Sequence, residues 1–169
     1  MPISQMILPE FDHEMANTRK TLERVPNDKF AWKPHEKSMT LGQLASHLST
    51  IPSWTKNTFE GDELNLAPAG QEPRRLEEAK STAELLETFD QHVATARAAL
   101  EKATDENWQG KWSLLFGDKT IFTLPRMAVV RGFILSHSIH HRAQLGVYLR
   151  LLDVLVPSIY GPSADEGGF

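Results

Sequence analysis

The feature that most constrains this chain is its longest periodic segment, which runs from Pro125 to about Asp153. Met127, Val130, Ile134, His137, His141, Leu145, Tyr148 and Leu152 recur at three- and four-residue steps. That spacing puts them on one face of a long helix. A helix with one apolar stripe must bury it against other elements, and three further segments carry matching stripes. The first, about Ser4 to Val25, shows Leu8, Phe11, Met15, Thr18 and Leu22, and Pro26 ends it. Pro9 sets the start of its regular part. The second opens at Thr40, where Thr40 and Gln43 form a T-x-x-Q capping box. It carries Leu44, His47, Ile51 and Trp54, with a kink or tightened turn expected near Ser49 because of Pro52, and it fades at Phe59 and Gly61. The third begins at a second capping box, Ser81 with Glu84, and continues through Leu86, Phe89, Val93, Ala96 and Leu100 to about Thr104.

Four helices with facing stripes predict an all-α four-helix bundle built as a single domain over residues 1–169. The connections, about 14, 20 and 20 residues, exceed the 2–8 usual between antiparallel neighbours, which points to crossovers. Between the third and fourth helices, W-S-L-L-F and K-T-I-F flank Gly117-Asp118 and predict a small β-hairpin over Trp112 to Phe122. The tail from Val156, with Pro157, Pro162 and a Gly-Gly pair, reads as irregular.

Composition narrows the function classes. Cysteine is absent, so no disulfide framework, thiolate site or Cys nucleophile is available, and a reducing cytoplasm is the expected setting. The net charge is -4 and no basic tract appears, which argues against nucleic acid as a partner. No apolar run approaches the ~20 residues of a membrane span, and the N-terminus lacks a signal-like region.

Chemistry concentrates in the histidines. His13, His35, His92 and His140 lie off the stripes or in loops, whereas His47, His137 and His141 stand where the pattern asks for Leu or Ile. A buried imidazole costs free energy unless its nitrogens are paired. His137 and His141, four residues apart, stack on one helical face and reach a common ion at ~2.0–2.1 Å. His47, from a facing helix, supplies the third nitrogen. Three neutral ligands leave open positions on a divalent ion, as catalytic sites do. His140 sits about 100° around the helix from His141 and should miss the ion. Glu14 and Glu101 read as solvated helix surface, and no catalytic base stands out. No H-E-x-x-H, Gly-x-Ser-x-Gly or phosphate-binding glycine loop is present.

Three motifs carry a family resemblance. H-S-I-H-H-R-A-Q-L at 137–145, L-G-Q-L-A-S-H-L at 41–48 and V-P-S-I-Y-G-P-S-A-D-E at 156–166 resemble, in order and spacing, those of the DinB/YfiT-like superfamily. Ala143 stands where that family often has Gly. The resemblance implies an up-down-down-up bundle, a homodimer, and a divalent metal on His47, His137 and His141. Some related members use a low-molecular-weight thiol in transferase or isomerase chemistry. The expected function is therefore a metal-dependent enzyme, a thiol-dependent transferase or a hydrolase. The alternative is a non-catalytic protein with a structural or sensory ion. Zinc and nickel are the favoured ions, with iron, manganese and copper also compatible with three imidazoles.

Overall fold

The computed structural model describes residues 1–75 and 77–167. Gly168, the second residue of the tail's glycine pair, lies outside them. The chain is mostly helical with one small three-stranded sheet. The long helices are α1 (Ile3–Leu22), α2 (Leu41–Thr50), α4 (Thr82–Lys102) and α7 (His137–Leu151). They are joined by the short helices α3 (Trp54–Glu60), α5 (Asp105–Gln109) and α6 (Arg126–Ala128). α1 packs on α4 and α7, and α2 packs on the same two, so one continuous core forms among them. Among the described residues, no helix is long and apolar enough to cross a membrane.

The sequence patterns explain most helix ends. Thr40 Oγ1 accepts from the Gln43 backbone N–H at 3.1 Å while Gln43 Oε1 accepts from Thr40 N–H at 3.1 Å, a complete capping box. Ser81 caps α4 in the same way, but the Glu84 side chain bonds to Lys80 N–H, one residue outside the expected partner. Pro52 breaks the second segment as anticipated. α2 ends at Thr50, a 3-10 turn spans Ile51–Ser53, and α3 restarts at Trp54.

Three expectations need correction. Helix α1 starts at Ile3, well before Pro9. Its first turn is held by tertiary bonds: Ile3 N–H donates to Asp105 (2.8 Å), and Ser4 Oγ donates to Ala103 O (2.9 Å) and accepts from Trp108 Nε1 (3.0 Å). These offset the hydrogen bond that Pro9 removes. In α4 the core residue is Leu85, with Leu86 only partly buried. In the last helix, Val129–Ser136 is wound as a π-helix between α6 and α7. Its wider turns delay the core face by about one residue. The buried series therefore continues from Val130 and Ile134 to Ser138, Arg142, Leu145 and Leu149. His137 and His141 fall beside that series, half-buried.

The hairpin is present as β2 (Lys111–Phe116) and β3 (Lys119–Pro125), turning at Gly117, whose φ of 61° suits a two-residue loop. A third strand, β1 (Glu63–Asn65), pairs in parallel with β2. It is too short to leave a sequence pattern, so the expected all-α class gains a sheet. Two contacts fasten this sheet to the helices. Trp112 Nε1 donates to Asn57 O at 3.1 Å, and Arg126 donates to Thr58 O (2.6 Å), Gly61 O (2.9 Å) and Asp62 Oδ1 (2.7 Å). Arg126 thereby satisfies carbonyls left open at the end of α3.

The Arg142 position in the core is filled by a charge, and α1 supplies its partner. Glu14, expected on the surface, is buried, and its Oε2 lies 2.7 Å from Arg142 Nη2. Arg142 also donates to Glu14 O at 3.0 Å and Thr18 Oγ1 at 3.2 Å, and Tyr160 of the tail donates to Glu14 Oε2 at 2.7 Å. A buried ion pair of this kind is strongly destabilising to break from one side only. Arg142→Ala should lower stability by about 3–5 kcal/mol in urea unfolding. The paired replacement Glu14→Leu with Arg142→Met should recover most of that loss, because no charge is then left without a partner.

Candidate metal centre

Two helices bring three histidines together at one end of α2. His47 sits on the last turn of α2, and His137 and His141 lie on successive turns at the start of α7. One ligand nitrogen from each ring lies within 4.8 Å of the other two. His47 Nε2 is 3.3 Å from His137 Nε2, and His141 Nε2 is 2.8 Å from the same atom. Two nitrogens held at ~2.0–2.1 Å from one ion are about 3.0 Å apart at a right angle and about 3.4 Å apart at the tetrahedral angle. The observed separations of 2.8 and 3.3 Å lie close enough to this range that the three rings could hold one ion.

The outer nitrogens decide which protons the inner ones carry. His137 Nδ1 faces Phe133 O at 3.3 Å. A carbonyl only accepts, so Nδ1 is the protonated nitrogen and Nε2 presents a lone pair. His141 Nδ1 faces Gln144 Oε1 at 2.7 Å, and with that oxygen accepting, His141 Nε2 presents a lone pair as well. With both rings in that tautomer, their Nε2 lone pairs face each other across 2.8 Å. A cation at their meeting point would be ligated by both, and carbonyl or amide support behind a ring is the usual arrangement for histidine ligands.

Electrostatics keep all three rings in the ligating form. Burial pushes the His47 pKa down from 6.5 to about 4, with further lowering from His141 and His137. His137 is lowered by burial and then by His141, against a rise from its bond to Phe133. His141 is lowered mainly by burial, against a rise from Gln144.

Aromatic rings wall the cluster. Trp54 stacks on Phe133 with centroids 4.9 Å apart, and its ring stands 5.8 Å from His47 and 5.5 Å from His137. A cavity of about 310 Å³ opens beside His47, bounded by Trp54, Asn57, Leu64, Leu66, Arg74 and Arg75 together with Thr50 and Ser53. The β1 strand forms its outer wall, so the fastening of the sheet by Arg126 and Trp112 also shapes this space.

All three sequence-predicted ligands are thus brought together. His140 is exposed, its ring 4.9 Å from that of His141 and outside the cluster. His13 bonds Asn17 Nδ2 at 3.1 Å, and His92 Nδ1 donates to Ser49 O at 3.0 Å. Sequence reasoning missed Gln144, Arg74 and Arg75. Gln144 stands three residues beyond His141, the helical spacing that could have flagged it. The arginines lie in a loop without periodicity and gave no signal.

The same architecture appears in solved structures. A DinB-like protein from Bacillus cereus ATCC 10987 superposes with a TM-score of 0.70 at 19% identity, covering 94% of this chain and 98% of that one. The DinB-like protein YjoA of Bacillus subtilis gives 0.67 at 22% identity, covering 91% and 96%. These likenesses concern the fold. In sequence, the chain is 26% identical over 165 residues to the uncharacterized protein YrdA of Bacillus subtilis (strain 168), which spans 94% of this chain and 89% of YrdA. The DinB family profile matches residues 3–167. The chain belongs to the DinB family.

Proposed function

We propose that this chain binds one divalent ion through His47, His137 and His141 and is a metal-dependent enzyme that transfers a low-molecular-weight thiol. The observation that carries the reading is the convergence of one nitrogen from each of three imidazoles on a common point, with the outer nitrogens of His137 and His141 facing the oxygens of Phe133 and Gln144. Zinc and nickel suit three imidazoles best. A divalent ion on three neutral ligands supplies Lewis acidity and makes a thiol that reaches it more acidic.

The chain's own residues do the rest. Phe133 O and Gln144 orient the rings, and Trp54 shields one side of the cluster from water. The cavity beside His47 gives a small substrate access. Among the described residues, neither Asp nor Glu lines that cavity. Hydrolytic sites of this kind pair their ion with a carboxylate base. Its lack favours thiol transfer, whose nucleophile needs only to lose its proton, over hydrolysis.

The wider reading is a homodimer of up-down-down-up four-helix bundles working in the cytoplasm, where thiols stay reduced. The pairwise packing of α1, α2, α4 and α7 supports the bundle. The apolar groove between α7 and the tail, with exposed Val147, Leu151 and Leu155 nearby, supports self-association. Sedimentation should then give about twice the chain mass of 19.0 kDa.

Protein purified without a metal-charged resin should carry about one divalent ion per chain, and His47→Ala should lose it. Unchanged metal content in that variant overturns the ligand assignment. Gln144→Ala should weaken metal affinity about 10–100-fold by freeing the His141 ring, with little change in metal-free stability. Consumption of a thiol by an electrophilic acceptor should stop on chelation and return with zinc or nickel. Turnover that survives both chelation and His141→Ala would exclude the metal-dependent reading.

Acid should act in a defined window. Folded His47 holds its proton only below about 4, whereas the unfolded chain takes one up near 6.5. Between those values the unfolded state binds more protons, so the metal-free protein loses stability as pH falls from 6.5 to about 4 and levels off below. Protons compete with the ion in the same direction. His47→Gln should flatten the slope of Tm against pH in that window, which calorimetry across the range would measure.

A further inference from the structure

The cavity beside His47 has a charge character unlike the rest of the molecule. The chain as a whole carries -4, yet this cavity is lined by two guanidinium groups and, among the described residues, by no carboxylate. The chain has nine arginines, and seven of them pair with a carboxylate in the folded protein. Arg74 and Arg75 are the other two, and both line this one space. Among the described residues, neither side chain makes an ion pair or a hydrogen bond to protein.

We propose that Arg74 and Arg75 bind the oxyanion head, a carboxylate or phosphate, of a small anionic substrate whose other end reaches the histidine cluster. The loop that carries them is anchored independently of their side chains, since Arg74 N–H donates to Leu66 O at 2.8 Å. The backbone thus places both exposed arginines at the cavity, and among the described residues neither guanidinium is used to build it. A guanidinium fork presents two parallel N–H donors matched to a carboxylate or phosphate. Low-dielectric walls around a single sign of charge concentrate the field and raise the local anion concentration. Trp54, Leu64 and Leu66, which line the same cavity, supply an apolar surface for the body of the ligand, and Asn57 supplies a polar contact. The volume of about 310 Å³ limits the ligand to a small molecule.

The two arginines are not equivalent. Arg75 also borders a second cavity, whose lining includes Glu77, Glu78 and Glu84, so its field is partly offset by carboxylates. Arg74 borders the cavity beside His47 and not that second one, and is the stronger anchor.

The assignment rests on the metal reading only for the position of the ligand's reactive end, so the test treats the two separately. Succinate, inorganic phosphate and neutral succinamide are titrated calorimetrically, at low ionic strength, into the full chain in its metal-free and zinc-loaded forms. At least one of the two anions should bind both forms, and the tighter one identifies the head group. Succinamide should bind at least tenfold more weakly than succinate if the head is a carboxylate. Arg74→Gln should weaken anion binding tenfold or more, Arg75→Gln less, and Arg74→Lys should restore part of the loss, with zinc content unchanged throughout. Added salt should weaken binding in the parent and have little effect in Arg74→Gln. Anion binding that survives Arg74→Gln undiminished, that requires zinc, or that is absent from the parent overturns the proposal. Loss of zinc binding alone would overturn the metal reading and leave the anion site standing on the metal-free titration.

Discussion

The phase of the last helix governs the rest of the molecule. From Val129 to Ser136 the chain winds with π-helical turns, and this rotates everything after it by about one residue relative to an uninterrupted α-helix. Without the shift, His137 and His141 would stay in line with Val130 and Ile134, pointing into the middle of the core. With it, Ser138, Arg142, Leu145 and Leu149 take the core positions, and the two imidazoles move to the margin, where His47 and a solvent-connected cavity meet them. A local winding irregularity thus decides which side chains hold the helices together and which remain available for chemistry.

That exchange has an energetic consequence. Arg142 enters the core with a full charge, and such a group is tolerated only with a partner and satisfied hydrogen bonds. Glu14, Thr18 and Tyr160 provide them, which ties α1, α7 and the C-terminal tail to one point adjacent to His141. The tail is fastened further along by Asp165 with Arg150 and Glu166 with Arg24. The helix bearing two histidines is therefore braced from behind, and Phe133 and Gln144 fix the rings on the front. Rigid support of this kind keeps three nitrogens convergent without an ion having to assemble them.

The sheet plays a different part. It does not extend the core formed by the long helices but stands against α3, latched by Trp112 and Arg126 to the carbonyls of Asn57, Thr58 and Gly61. Leu64 and Leu66, in and just after β1, then close one side of the cavity next to His47. Helices alone would leave the histidines on an open edge. The added strands turn that edge into one wall of a cavity with its own chemistry.

Helix periodicity, capping residues and proline were legible in the sequence because each acts over three or four neighbouring residues. The stripe of Phe11, Met15, Thr18 and Leu22, the box of Thr40 with Gln43, the break at Pro52 and the turn at Gly117 are of this kind. The i, i+4 spacing of His137 and His141, with His47 on another stripe, singled out the three rings on the same basis. Tertiary structure alone decided the π-wound phase of the last helix, the burial of Glu14 against Arg142, and the early start of α1 ahead of Pro9. It also decided the pairing of β1 and the gathering of Arg74 and Arg75 beside His47. Each of these depends on atoms brought together from distant parts of the chain, and their energies exist only once the helices have packed.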